Sequence, residues 1–192
     1  MTKVYFVRHA QPVHSWKDDR TRPLTDEGVS DSKKVTDLLK TAAVDCFYLS
    51  PYKRCIDTIY ESADFYGMSI ALDERLKECK YGNLSGNFHE VIKKRWNDFA
   101  WHEGSGEPLG DVQNRNISAV YDILTANTDK TIVIGTHATA LSVILNYFNS
   151  VHNSNDYFRI VNFTPYIIRL DFKENDYVGQ EELLIIHKDL KY

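Results

Sequence analysis

Two short apolar runs each end in a histidine. Val4-Tyr5-Phe6-Val7 leads into Arg8-His9, and Thr131-Ile132-Val133-Ile134-Gly135-Thr136 leads into His137. A third run, Asp45-Cys46-Phe47-Tyr48-Leu49, ends at Ser50-Pro51, which reads as a helix N-cap followed by proline at the first helical position. Arg54 then falls in the first turn of that helix. Arg8, His9, Arg54 and His137 together are suited to hold and attack an anion.

The anion that best fits this set is a phosphomonoester, a dianion near neutral pH whose uncatalysed hydrolysis is among the slowest known reactions. The arginine fork donates two parallel hydrogen bonds to phosphate oxygens, which suits Arg8 and Arg54. At an effective dielectric near 20, opposite charges about 4 Å apart attract by about 4 kcal/mol. Two arginines and a charged His137 would therefore hold the group without a metal. His9 is a nucleophile only when one ring nitrogen is unprotonated. Neighbouring cations disfavour its charged form, and a backbone carbonyl on the other nitrogen would fix the tautomer. The expected intermediate is a phosphohistidine, which splits one hard step into two easier ones. The leaving oxygen also needs a proton, and a partly buried carboxyl facing the phosphate can donate it. The residues alone leave Glu74, Glu78 and Glu90 open for that task.

The elements that would position these groups alternate along the chain as strand and helix patterns, which predicts an α/β fold. Runs rich in β-branched residues with little alternation read as strands buried on both faces of a parallel sheet. Ligands of such sheets bind beyond the carboxyl ends of the strands, where both histidines stand. A polar loop, Gln11 to Pro23, precedes a helix carrying Val35, Leu38 and Leu39. A second helix is expected from about Tyr52 to Tyr66, then a short strand from Ser69 to Leu72. Further helices are expected from about Val112 to Ala126 and from Ala138 to Phe148. A terminal hairpin, Tyr166 to Phe172 and Glu182 to His187, turns at Asn175-Asp176 and forms an antiparallel sheet edge. Between them, glycines punctuate residues 75–110, which contain a helical piece from about Phe88 to Trp101. We read residues 83–110 as an insertion over the strand ends, a lid or pocket wall within a single domain of 1–192. Trp96 and Phe99 are read as its small core, and Lys93-Lys94-Arg95 as a solvated helix face.

The 192 residues suffice for one domain with a real core, and a net charge of -4 argues against nucleic-acid binding. Cys46, Cys55 and Cys79 form no close pair and are odd in number, which fits a reducing compartment. The chain opens directly on a strand pattern, without a signal-type stretch, and no apolar segment is long enough for a bilayer. A cytoplasmic protein without membrane contact, monomeric or homodimeric, is expected. His89 and His102 are not at metal-ligand spacing and no Cys-x-x-Cys occurs, so no metal site is expected. His14, His89, His102, His152 and His187 are read as structural.

The chain resembles the histidine phosphatase superfamily in its phosphoglycerate-mutase-like branch. The matching motifs, in the family's order, are Val7-Arg8-His9-Ala10-Gln11, Leu24-Thr25-x-x-Gly28, Ser50-Pro51-x-x-Arg54, Leu76-x-Glu78-x-x-x-Gly82-x-x-x-Gly86, Gly106-Glu107 with Arg115, and Thr136-His137-Ala138. The resemblance implies a three-layer α/β/α sandwich with a mostly parallel mixed sheet. It implies His9 as phosphate acceptor, Arg8, Arg54 and His137 around the phosphate, Glu78 as proton donor, and no metal or organic cofactor. Ala10 replaces the family's usual glycine. Ser15 stands where many members carry a phosphate-touching asparagine, and Gln11 or a nearby backbone N–H can compensate. The short insertion and single anion pocket favour a phosphatase acting on a small-molecule phosphate ester. The alternatives are a phosphoglycerate-type mutase and a non-catalytic anion-binding protein.

Overall fold

The structure, a computed structural model, describes residues 1–83 and 87–189. Its strands are β1 (Thr2–Arg8), β2 (Cys46–Leu49), β3 (Ile70–Leu72), β4 (Thr131–Thr136), β5 (Phe163–Lys173) and β6 (Asp176–His187). Its helices are α1 (Asp26–Leu39), α2 (Lys53–Phe65), α3 (Phe88–Asn97), α4 (Leu109–Ala126), α5 (Ala138–Phe148) and α6 (Ser154–Ile160), with a 3-10 turn at Glu74–Leu76. One sheet holds the strands in the order β3-β2-β4-β1-β5-β6. The first four are parallel to one another; β5 runs antiparallel to β1, and β6 antiparallel to β5.

The central strands are apolar throughout because both their faces are covered. Val4 and Phe6 of β1, with Ile132 and Ile134 of β4, pack on α4 and α5 through Val120, Ile123, Leu141 and Ile144. Tyr5, Val7 and Val133 point the other way, onto Val35 and Leu39 of α1 and Ile59 and Ala63 of α2. The pleat that alternates side chains between faces thus fills two cores from one sheet, giving three layers.

The strand ends that matter are tied directly to one another. β1 and β4 pair in register with Arg8 opposite Thr136. The His9 N–H donates to the Thr136 carbonyl at 3.3 Å, and the Ser50 N–H donates to the Gly135 carbonyl at 3.0 Å. Arg8-His9, Ser50 and His137 therefore emerge at one level of the sheet edge.

The structure departs from the sequence expectation in several places. Ser50 does not cap α2. Tyr52 is the N-cap, and the helix begins at Lys53. The insertion helix α3 stops at Asn97, short of Trp101. Strand β5 starts at Phe163 and β6 at Asp176, so the terminal hairpin is longer than expected. Helix α6 was not expected at all, although Asn153 and Asp156 form a capping box at its start. Gly86, the last glycine of the Glu78 motif, lies outside the described residues.

The Leu24-Thr25-x-x-Gly28 motif has a packing reason. Thr25 caps α1, its side chain accepting the Gly28 N–H at 2.9 Å, and its own N–H donates to the Gln11 carbonyl. A Cβ on Gly28 would stand 2.3 Å from that same carbonyl oxygen. Gly28→Ala must therefore push the loop after His9 away from α1. We expect a stability loss of about 1–3 kcal/mol, read as a lower denaturant midpoint at unchanged m-value. An unchanged midpoint would contradict this packing.

Candidate active site

His9 leaves the end of β1 with its imidazole buried. Its Nδ1 lies 2.8 Å from the Ala10 carbonyl, an acceptor, so Nδ1 carries the proton. Nε2 is left with its lone pair, and Arg54 Nε donates to it at 3.1 Å. Burial, more than any neighbour, holds the His9 pKa well below the ordinary histidine value, with Arg54 and then Arg8 adding to the effect. The ring is thus neutral, of defined tautomer, and presents an unprotonated nitrogen.

His137 stands at the N-cap of α5. Its ring centroid is 5.3 Å from that of His9 in an edge-on arrangement. Nε2 is 2.7 Å from Ser50 Oγ. Ser50 thus serves His137 in place of capping a helix. The Cys55 thiol sits 3.5 Å from the same nitrogen, and burial pushes its pKa up to about 12. His137 is wholly buried, and burial first, then Arg54, holds its pKa well below the ordinary value. The charged His137 expected from sequence is therefore a neutral imidazole, because removal from water outweighs any benefit of a second charge.

Arg54 reaches in from the first turn of α2. Besides His9, its guanidinium donates to the Asp19 carbonyl at 2.6 Å and to Asp19 Oδ1 at 3.1 Å. Arg22 also pairs with Asp19, at 3.0 Å. The loop after His9 so places a carboxylate on the arginine face that a phosphoryl oxygen would use. Arg8 is buried, and its Nη1 donates to the carbonyls of Ile160, Val161 and Phe163 at 2.6, 2.8 and 2.6 Å. These carbonyls belong to the end of α6 and the start of β5.

Glu78 also reaches the cavity. Its carboxylate accepts the backbone N–H groups of Cys79, Thr139 and Ala140 at 2.8, 3.1 and 3.1 Å. Two of these are orphan donors of the first turn of α5, where the helix dipole favours a negative charge. Glu74 is turned away and pairs with Arg20. Glu90 is an exposed residue of α3.

These groups surround a cavity of about 470 Å³. Arg8, His9, Arg54 and Glu78 line it, together with His14, Asp19, Arg22, Tyr52, Lys80, Tyr81, Phe88 and Tyr157. His137 stands behind this wall. Ser15 is exposed and does not line the cavity. Gln11 does not line it either; its backbone carbonyl is spent on Thr25. The phosphate contacts expected of both residues therefore have no geometric support. His14, read as structural, does line it. So does Tyr157 of the unexpected α6, whose hydroxyl is 3.2 Å from that of Tyr81. No sequence signal marks His14 beyond its nearness to His9, whereas the capping box could have revealed α6 and hence Tyr157.

Two consequences can be measured. The unfolded chain takes up protons on His9 and His137 near pH 6.5, while the folded chain, whose pKa values are lower, does not. Stability should therefore fall as pH drops below that value, by about 1.4 kcal/mol per pH unit for each histidine. Denaturation between pH 7.5 and 5.5 reads this, and a flat profile would contradict the neutral buried pair. Asp19→Asn removes the resident carboxylate from Arg54. Because Asp19 is partly exposed, the gain is modest: the inhibition constant for inorganic phosphate should fall about two- to fivefold.

Comparison with known proteins identifies the family and the fold. The model of the histidine phosphatase superfamily (branch 1) matches residues 4–181. Phosphoserine phosphatase 1 of Hydrogenobacter thermophilus is 27% identical over 154 residues, 73% of each chain. A glucosyl-3-phosphoglycerate phosphatase of Mycolicibacterium vanbaalenii is 26% identical over 139 residues, covering 66% of this chain and 62% of that one. Among solved structures, phosphoserine phosphatase of Entamoeba histolytica in complex with 3-phosphoglyceric acid superposes with a TM-score of 0.77 at 20% identity, over 98% of each chain. A mycobacterial glucosyl-3-phosphoglycerate phosphatase in complex with VO3 gives 0.76 at 16%, over 97% of this chain and 99% of that one. The superpositions establish a shared fold. The family match, which takes in nearly the whole chain, makes this protein a member of the histidine phosphatase superfamily, branch 1.

Proposed function

We propose that this protein is a phosphomonoesterase that hydrolyses a small-molecule phosphate ester through a phosphohistidine on His9. The observation that carries this reading is the state of His9: Nδ1 is fixed on the Ala10 carbonyl and Nε2 is unprotonated beside Arg54, at the wall of a cavity that also holds Glu78.

The phosphoryl group binds where Asp19 now meets Arg54, with Arg8 and Arg54 neutralising its oxygens. The reading therefore requires no metal ion. The Nε2 lone pair of His9 attacks phosphorus. The P–O bond to the organic alcohol breaks, its electron pair stays on the leaving oxygen, and Glu78, which takes up a proton when the anionic phosphoryl group binds beside it, gives that oxygen its proton. Water then attacks the phosphorus of the N–P intermediate and Glu78 takes its proton. The N–P electron pair returns to Nε2 and inorganic phosphate leaves. His137 borders His9 from behind and, as a neutral ring held by Ser50, acts through hydrogen bonding.

The organic part of the substrate faces Tyr81, Phe88 and Tyr157, with Lys80 and Arg22 as cations at the rim. Phe88 comes from the insertion, which we take as one wall of the pocket. The related phosphatases named above act, by their names, on phosphoserine and glucosyl-3-phosphoglycerate, both small phosphate esters. Such a substrate fits a cavity of this size and charge. Three free thiols fit the cytoplasm.

The test uses wild type and His9→Ala on a panel of metabolite phosphates. The wild type should release inorganic phosphate and, quenched during turnover with labelled substrate, should carry an acid-labile, base-stable label. His9→Ala should lose both, with turnover down by at least about 10³-fold. Phosphate retained on an acceptor would identify a mutase, and turnover that survives His9→Ala would overturn both readings.

A further inference from the structure

Glu78 lies in a stretch, Lys77–Asn83, whose described residues belong to no helix or strand. Its position therefore depends on contacts made by other elements. Arg115 of α4, paired with Glu107, donates to the carbonyls of Arg75, Lys77 and Glu78 at 2.6, 2.7 and 3.1 Å. That pair secures the chain up to Glu78. A different pair secures the chain beyond it.

Arg95 of α3 is completely buried, contrary to the solvated face expected for Lys93-Lys94-Arg95. Its Nε donates to Glu103 Oε2 at 2.7 Å, and its Nη1 donates to the Glu107 carbonyl at 3.0 Å and to Cys79 Sγ at 3.3 Å. Its guanidinium carbon lies 4.8 Å from the centre of the Tyr81 ring. Glu103 also accepts the Gly82 N–H at 2.8 Å. The pair thus touches Cys79, Tyr81 and Gly82. Tyr81 in turn is 2.7 Å from Thr139 Oγ1, and the Thr139 N–H donates to Glu78. The backbone is shaped around this pair. A Cβ on Gly106 would stand 2.8 Å from Arg95 Nη2, and one on Gly82 would stand 2.1 Å from the Glu103 carbonyl oxygen.

A buried ion pair is a poor way to gain stability, because desolvation consumes most of the attraction and an apolar filler often does as well. What the pair supplies that a filler does not is direction, through hydrogen bonds to named atoms. We propose that Arg95 and Glu103 are positioning residues for Glu78: through them the insertion sets where the proton donor stands relative to the leaving oxygen. The inference rests on the reading of Glu78 as proton donor under Proposed function.

The test separates a misplaced acid from a damaged fold by varying the leaving group. An alkyl phosphate leaves as an alkoxide that needs a proton, whereas p-nitrophenyl phosphate leaves as a phenolate that does not. The value of kcat/KM covers the steps through departure of the alcohol, so it reads this difference. Wild type, Glu78→Gln, Glu103→Gln and Gly106→Ala are compared on both esters, the alkyl ester being one the wild type hydrolyses, with phosphoserine tried first. Glu103→Gln removes the charge, and Gly106→Ala presses on the pair from the other side should the first fold poorly. Both should lower kcat/KM for the alkyl ester by about 10- to 100-fold and leave the aryl ester within about twofold. Equal losses on both esters, or none, would overturn the inference. If Glu78→Gln alone shows the split, the donor assignment stands and the positioning role falls. If Glu78→Gln shows no split, the donor assignment fails, and a wild type that hydrolyses neither p-nitrophenyl phosphate nor any alkyl phosphate tried sinks the proposed function itself.

Discussion

The contact on which the site depends is between two groups that repel when both are charged. Arg54 Nε–H points at His9 Nε2 from 3.1 Å, a hydrogen bond only while that nitrogen keeps its lone pair. A proton on Nε2 would set two donors face to face in a buried setting, where screening is weak. Burial and Arg54 thus act in the same direction, and the Ala10 carbonyl removes the remaining ambiguity by holding the proton on Nδ1. Arg54 thus helps to keep Nε2 of His9 unprotonated.

Such a contact needs three chain segments to meet within a few ångströms, which is what the strand order provides. β4 lies between β1 and β2, so the ends carrying His9, His137 and Ser50 are neighbours although far apart in sequence. Backbone hydrogen bonds from His9 and Ser50 to the last residues of β4 fix their relative height. Side chains that follow directly on buried strands inherit that rigidity, whereas Glu78, on irregular chain, has to be clamped.

This division explains what the sequence could and could not reveal. The β-branched runs ending in Arg8-His9, Leu49 and His137 are visible because a strand buried on both faces must be apolar throughout. The helix from Ala138 to Phe148 was legible to the residue for a similar reason, being the wall that closes one core. Ser50-Pro51 carried a capping signal but no helix start, because tertiary contact with His137 claimed the hydroxyl. Arg95 was misread since a basic triplet on a helix is usually solvated. Its burial follows from Glu103, eight residues on, and no local pattern announces that pairing. His137 was expected to be charged because sequence shows neighbours but not depth.

The cost of assembling cations in a buried site explains the parts that looked dispensable. Arg8, Arg22 and Arg54 share one cavity wall, and without counter-charges their repulsion would favour the unfolded chain. Asp19 answers Arg22 and Arg54 from the loop that follows His9. Arg8 is answered differently, by carbonyls at the C-terminal end of α6, where the helix dipole is negative and no mobile group is needed. The short helix with no counterpart in the sequence reading therefore has a definite task. It answers the charge of Arg8 with backbone carbonyls, whereas the charge of Arg54 is answered by the Asp19 carboxylate, beside His9.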